Sequence, residues 1–178
     1  MLYPWLRAED APRMIAEAVA TLGVKEMAGR AQNPTITGWA KEPWARAIGL
    51  DRVYLFEETP WCGLWMARVA HRAGKPVVKD PLWARNWARF GEVSPLPSLG
   101  DVLVFSRQGG GGHIGLYVAE DDESYLVLGG NQGDRVSVVR IAKSRCIACR
   151  RPPYRNQPAS VVPHLVDRAG APLSQNEA

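Results

Sequence analysis

The chain has 178 residues, 46% of them hydrophobic, which suits one globular domain with a substantial core. Its formal net charge is +4 and its basic residues are dispersed, so a dedicated nucleic-acid-binding arm is not predicted, whereas an anionic polymer is a compatible partner. No stretch approaches the roughly 18 consecutive apolar residues of a membrane-spanning helix. Residues 1–10 lack a basic start followed by an apolar run, so no signal peptide is predicted.

The first half of the chain is predicted to form four helices, because apolar residues recur there at three- and four-residue spacing. Asp10 is placed to cap the first helix, Pro12 lies in its first turn and Gly23 follows its last turn. Pro43 interrupts or bends the second helix. The four predicted ranges are 11–22, 35–48, 62–73 and 81–90.

From residue 100 onwards, short runs rich in Val, Leu and Ile predict strands instead of helices. A helical half followed by a meander of strands indicates an α+β domain and not a doubly wound sheet. This domain is predicted to cover residues 1–152. The proline-rich and polar residues 153–178 are predicted to be a tail that is either disordered or folded onto a partner. The predicted strands are 102–106, 113–119, 125–128, 136–141 and about 146–150.

Cys62 stands directly after Thr59-Pro60-Trp61 and begins the third predicted helix. A helix N-terminus carries partial positive charge and unpaired N–H groups, so we expect the thiol to ionise there with a pKa below the roughly 8.5 of a free cysteine. That position makes Cys62 a candidate nucleophile. The alternative is a buried cysteine that packs as a small hydrophobic side chain.

His113 follows the four glycines 109–112 and opens the second predicted strand. The third predicted strand leads into Gly129-Gly130-Asn131-Gln132, so an antiparallel hairpin would make His113 and Asn131 neighbours. A cysteine nucleophile needs a base and a third polar group that orients the base, and Cys62, His113 and Asn131 supply these residue types. The alternatives are a loop role for His113 and a turn role for Asn131.

The chain has three cysteines, so at least one stays unpaired within it, as a thiol catalyst requires. Cys146 and Cys149 do not predict a zinc site, because His71 and His164 lie far from them in sequence and no second matching pair exists. On a strand these two thiols would point to opposite faces, which favours core packing over redox chemistry.

These motifs resemble those of the papain-like cysteine peptidases of the NlpC and CHAP type, which act on bacterial peptidoglycan, and in particular a small subgroup found in phages, prophages and bacterial genomes. The resemblance runs from Pro4 to Pro152, and its most specific markers surround Cys62 and His113. The segments that carry it are Leu22-Gly23-Val24-Lys25-Glu26, Asn33-Pro34, Glu58-Thr59-Pro60-Trp61-Cys62, Ala84-Arg85-Asn86-Trp87, Gly100-Asp101-Val102-Leu103-Val104-Phe105, Gly112-His113-Ile114-Gly115 and Leu128-Gly129-Gly130-Asn131-Gln132.

The resemblance implies a papain-like fold in which the helix of the nucleophile packs on a small antiparallel sheet, with Cys62 and His113 as the catalytic pair. Asn131 matches the third, orienting residue. Gln132 is its competitor, because adjacent residues on a strand face opposite ways. Trp61, Gly112 and Gln132 are expected to contact the substrate. No metal or cofactor is expected.

The implied activity is thioester-mediated hydrolysis of amide bonds in the peptide stem of bacterial peptidoglycan, by an endopeptidase or an amidase. The alternatives are a papain-like hydrolase of another amide and a catalytically silent structural component of a phage or secretion machine. We expect synthesis in the cytoplasm and delivery to the cell wall by a holin, a virion or a secretion system. A phage-tail or secretion-system protein is a further expected partner, through the tail.

Overall fold

The computed structural model describes residues 3–29, 31–167, 172–175 and 177. Within them, helices precede a sheet, which confirms the predicted α+β class. The α-helices are α1 (Arg13–Val19), α2 (Pro34–Trp39), α3 (Pro43–Ala47), α4 (Leu50–Val53) and α5 (Cys62–Arg72), and 3₁₀ turns lie at Pro4–Arg7, Ala84–Arg89, Gln108–Gly110 and Lys143–Arg145.

Prolines set the boundaries of the first helices. α1 begins one residue after Pro12, which takes the cap position that the sequence analysis gave to Asp10. The interruption predicted near Pro43 is present, because the predicted helix over 35–48 divides there into α2 and α3. Pro43 has no N–H with which to continue α2, and it opens α3 instead.

α5 carries Cys62 at its first position and packs against α1 and the sheet, so most of its residues are buried. It ends at Arg72, and Gly74 follows in a left-handed conformation with a φ of 69°. The segment predicted as a fourth helix, 81–90, forms a 3₁₀ turn and passes beside the start of α5. No helix of the described chain, α5 included, is long and apolar enough to cross a membrane.

The sheet has six antiparallel strands in the order β1-β6-β2-β3-β4-β5. The five predicted strands are present within about two residues of their predicted ends, and β1 is an additional two-residue strand at one edge. The strands are β1 (Glu92–Val93), β2 (Val102–Ser106), β3 (Gly112–Glu120), β4 (Ser124–Gly129), β5 (Ser137–Ala142) and β6 (Cys146–Arg151).

The sheet separates two hydrophobic cores. Ile114 and Leu116 of β3 belong to the larger core, which the helices cover. Tyr117 belongs to a smaller core on the opposite face. Because side chains alternate along a strand, His113 shares its face with Tyr117 and not with Ile114. The other buried members of the smaller core are Leu103, Phe105, Val127 and Ile141.

Cys146 and Cys149 both pack against the smaller core, so the prediction that they face opposite ways is wrong. The pairing of β2 with β6 shifts register between Val104 and Phe105, which places Cys149 opposite Leu103 and Cys146 opposite Phe105. This irregularity resets the alternation of side chains along β6. Both thiols are free.

The predicted tail folds onto the chain's own domain. The Leu99 N–H donates to the Val162 carbonyl at 3.0 Å, and the Glu120 N–H donates to the His164 carbonyl at 2.9 Å. The His164 ring also stacks on Trp5, with ring centroids 4.4 Å apart. Within the tail, residues 168–171, 176 and 178 lie outside the described part of the chain.

Candidate active site

Cys62 lies where the chain enters α5. Trp61 precedes the helix, and its side chain makes no capping hydrogen bond, so backbone N–H groups at the helix start remain open to other partners. The Cys62 thiol faces the backbone N–H groups of Gly63 and Ile114. Because Ile114 directly follows His113, the structure brings the start of α5 and the start of β3 together.

The thiol borders a narrow groove. Cys62 is 3% exposed, and the groove has a volume of about 130 Å³. The segment that ends at Trp83 forms one wall, and it lies so close to α5 that any side chain at Gly63 would collide with the backbone carbonyls of Pro81 and Leu82. The predicted substrate contact Gly112 also lines the groove, and the other lining residues are Pro60, Ala84, Arg85, Arg107 and Gly111.

His113 is fully buried, and Gln132 fixes its ring. Oε1 of Gln132 lies 2.9 Å from Nε2 of His113. Nε2 of Gln132 donates to the carbonyls of Val127 and Ser137, so its amide oxygen must face the imidazole. The Nε2 atom of His113 therefore carries the proton and donates it. Its Nδ1 atom is unprotonated and has no hydrogen-bond partner among the described residues.

Gln132, and not Asn131, makes the orienting contact. Asn131 has a left-handed backbone with a φ of 57°, and its Oδ1 atom accepts no hydrogen bond from the described residues. This conformation is the turn role that the sequence analysis gave as its alternative. Gly129 gives the pair its space, because a Cβ atom there would lie 2.6 Å from the Gln132 Oε1 atom and 3.2 Å from the His113 Nε2 atom.

Burial sets the protonation of both candidate catalytic side chains. It raises the pKa of the Cys62 thiol, although the Arg107 charge and nearby backbone N–H groups act in the opposite direction. It also lowers the pKa of His113 to about 4, against the opposing effects of Glu177 and Gln132. The predicted lowering of the thiol pKa at the helix start is therefore wrong. Both groups are neutral at pH 7, and no hydrogen bond within the described chain joins them.

Trp61 does not line the groove as predicted. Its side chain is fully buried, its Nε1 atom donates to Glu26 at 2.6 Å, and its ring packs against Trp39 with centroids 5.8 Å apart. Trp83, which the sequence analysis did not select for the site, lines the groove and is 64% exposed. The sequence carries no local signal that separates these two tryptophans, because each follows a proline-containing segment.

A cluster of charged residues that was not predicted from the sequence lies beside His113. Glu177 of the tail is fully buried and pairs with Arg145, and a second arginine, Arg107, lies 3.4 Å from its carboxylate. The Glu177 charge acts on the imidazole and opposes the lowering of its pKa. No sequence pattern indicates this cluster, because its members lie 32 and 70 residues apart from Glu177.

Among the described residues, no three His, Cys, Asp or Glu side chains come together as a set of metal ligands. A comparison of the sequence with protein-family models and with curated proteins finds no match. The resemblance to NlpC and CHAP peptidases therefore stays a prediction from the motifs.

Proposed function

We propose that the protein is a cysteine-dependent hydrolase of amide bonds, with Cys62 as the nucleophile and His113 as the base. One observation carries this proposal. His113 keeps its Nδ1 atom unpartnered while Gln132 holds its other ring nitrogen, and the next residue along β3 directs its backbone N–H at the Cys62 thiol. A nucleophile, a base and a group that orients the base are the parts that acyl transfer requires.

The reaction begins from a neutral thiol and a neutral imidazole. His113 accepts the thiol proton at Nδ1 as the Cys62 sulfur bonds to the amide carbon, and backbone N–H groups at the start of α5 stabilise the oxyanion. The imidazolium then donates this proton to the leaving amine as the C–N bond breaks, which leaves a thioester. Water attacks the thioester with His113 again as base, and a carboxylic acid and the free thiol are released.

We propose the peptide stem of bacterial peptidoglycan as the substrate. The motifs around Cys62 and His113 support this substrate through their resemblance to NlpC and CHAP peptidases. Arg85 and Arg107 line the groove, and their positive charges suit a peptide that carries carboxylates. The bond cleaved is either between D-Glu and the diamino acid or between muramic acid and L-Ala.

Digestion of purified sacculi tests the proposal. Wild-type protein and Cys62→Ala are incubated with sacculi and, in parallel, with a denatured protein substrate, and the released fragments are identified by mass spectrometry. We expect stem-peptide fragments from sacculi with the wild type alone, and the new fragment ends name the bond. Release of fragments from the protein substrate only would indicate that the enzyme hydrolyses a different class of amide bond.

The full burial of His113 favours a second candidate, a catalytically silent structural component. A silent protein would contain an inert Cys62, whereas a working site must admit a small electrophile to the thiol. Alkylation by iodoacetamide discriminates the two, with the modified residue identified by peptide mass spectrometry. Modification of Cys62 in the folded protein that is slowed in His113→Ala counts against the structural role, and no modification counts for it.

A further inference from the structure

The described end of the tail adds to the edge of the sheet. β5 is an edge strand, and the Ser174 N–H donates to the Arg140 carbonyl on it at 2.8 Å. Leu173 forms an isolated parallel bridge with Arg140. Pro172, Leu173 and Gln175 are exposed. Within 172–177, Glu177 is the only buried residue that the structure describes, so its contacts hold this segment most firmly.

Glu177 makes the contacts of a bound carboxylate ligand. Arg145 donates to its two oxygens at 2.7 and 2.8 Å, in the bidentate geometry that arginine gives to carboxylates. Although burial opposes ionisation, these bonds and the charge of Arg145 lower the pKa of Glu177 to about 2. The Gly133 N–H also donates to the Glu177 carbonyl at 3.2 Å.

Arg107 connects this carboxylate to the groove at Cys62. It lines that groove and also a second depression of about 440 Å³, whose lining includes Arg145 and Ser174. Its Nε atom lies 3.4 Å from the Glu177 carboxylate, a weak contact. Its Nη2 atom is buried and has no hydrogen-bond partner among the described residues. Arg107 therefore retains a donor that Glu177 does not use, and the same residue lines the groove at Cys62.

We propose that Arg107 and Arg145 form a subsite for a free carboxylate of the substrate, and that Glu177 occupies this subsite until the substrate displaces the tail. This inference rests on the proposed function and adds a substrate class to it, a peptide with a free carboxylate near the scissile amide. A tail carboxylate fits the role because it can leave the subsite when its edge-strand contacts break, whereas Arg107 directly follows β2 and Arg145 directly precedes β6. Arg145 also donates to the Ser106 carbonyl on β2 at 3.1 Å.

Iodoacetate and iodoacetamide test the subsite. Both reagents alkylate thiols, but iodoacetate carries a carboxylate where iodoacetamide carries a neutral amide. The measured quantity is the ratio of the iodoacetate rate to the iodoacetamide rate at Cys62, read from the modified peptide of the full chain. We expect Glu177→Gln to raise this ratio about fivefold over the wild type, because it frees the arginines. Adding Arg145→Gln to that variant should return the ratio to the wild-type value. Glu92→Gln, at an exposed glutamate of β1, is the matched control and should leave the ratio unchanged.

Ser174→Pro gives a second route to the same state. It removes the N–H that binds the Arg140 carbonyl, so it weakens the attachment of the tail to β5 while Glu177 and both arginines remain. The ratio should rise here too, and added salt should reduce the rise, since partly exposed charges are screened. Circular dichroism checks that each variant is folded.

An unchanged ratio in the folded variants, or a Cys62 that reacts with neither reagent, would overturn the subsite. Sacculus digestion separates this outcome from failure of the proposed function. If the variants raise the ratio but the wild type releases no fragments from sacculi, the subsite is supported and the proposed hydrolase function is contradicted. If the wild type releases fragments but the ratio is unchanged in the variants, the hydrolase function is supported and the subsite is contradicted.

Discussion

The two halves of the candidate site have different surroundings. Cys62 is held by the packing of α5 on the larger core, and its thiol borders a groove. His113 lies on the face of the smaller core, fully buried, where Gln132 fixes its ring and Glu177 acts on its charge. Substitutions around Cys62 should therefore act through packing and stability, whereas substitutions around His113 should act through protonation and orientation.

The largest expected effect is the loss of the base. His113→Gln should lower kcat for sacculus hydrolysis by about 10³-fold or more, because a glutamine cannot accept the thiol proton. The rate of fragment release at saturating sacculi measures this effect. Circular dichroism controls for folding, and near wild-type release by folded His113→Gln would remove the imidazole from the mechanism.

Gln132 and Asn131 separate an orienting residue from a turn residue. Gln132→Ala should lower kcat about 10²-fold, since the imidazole loses the contact that fixes its tautomer and orientation. Asn131→Gly should retain wild-type kcat, because glycine accepts the left-handed backbone and no hydrogen bond to His113 is lost. The opposite order of the two kcat values would return the orienting role to Asn131.

The pH dependence follows from the neutral state of the pair. His113 acts as base only when unprotonated and its pKa is about 4, so kcat/KM should hold its neutral-pH value well below pH 6.5 and fall only near pH 4. Because burial raises the pKa of the Cys62 thiol, its alkylation by iodoacetamide should continue to accelerate at pH values where the alkylation of a free cysteine has levelled off. A fall of kcat/KM near pH 6.5 would contradict this prediction and would mean that His113 is exposed to solvent.

The same pKa links His113 to stability. The unfolded chain binds the His113 proton at about pH 6.5 and the folded chain only at about pH 4, so the free energy of unfolding should fall as the pH drops between these values. Urea unfolding of the wild type should show this decline. His113→Gln, which has no proton to bind at this position, should show less of it.

The smallest expected effect concerns packing at the thiol. Gly63→Ala should lower the free energy of unfolding by about 1–3 kcal/mol, because its methyl group meets the carbonyls of Pro81 and Leu82. Gly38→Ala, in α2, is the matched control. No atom lies within 4 Å of its added Cβ, and it should gain roughly 0.5–1 kcal/mol of stability. Equal effects in urea unfolding would contradict the close approach at the start of α5.

The sequence predicted those parts of the site that depend on local pattern. Alternating apolar residues located β2 to β6, and apolar residues at helical spacing after Pro60 located the start of α5. These elements bring Cys62 close to Ile114. A register shift, by contrast, has no signature in the sequence of β6, so the common face of Cys146 and Cys149 could not be predicted.

The parts that failed depend on contacts between distant residues. The left-handed turn at Asn131 gives the orienting contact to the next residue, and only the backbone after Gly130 decides this. Burial raises the pKa of the Cys62 thiol and lowers the pKa of His113. At Cys62 this effect is larger than the opposing effect of the helix N-terminus. The pairing of Glu177 with Arg145 spans 32 residues and has no local pattern.

The central claim is that Cys62 becomes acylated during turnover. Sacculi are mixed with the wild-type protein, the reaction is quenched in acid within seconds, and the peptide that contains Cys62 is examined by mass spectrometry. We predict a mass increase equal to the acyl fragment on that peptide, and neither adduct nor fragment release in Cys62→Ala. Fragment release by Cys62→Ala at the wild-type rate, with no adduct on the wild-type peptide, would contradict the account.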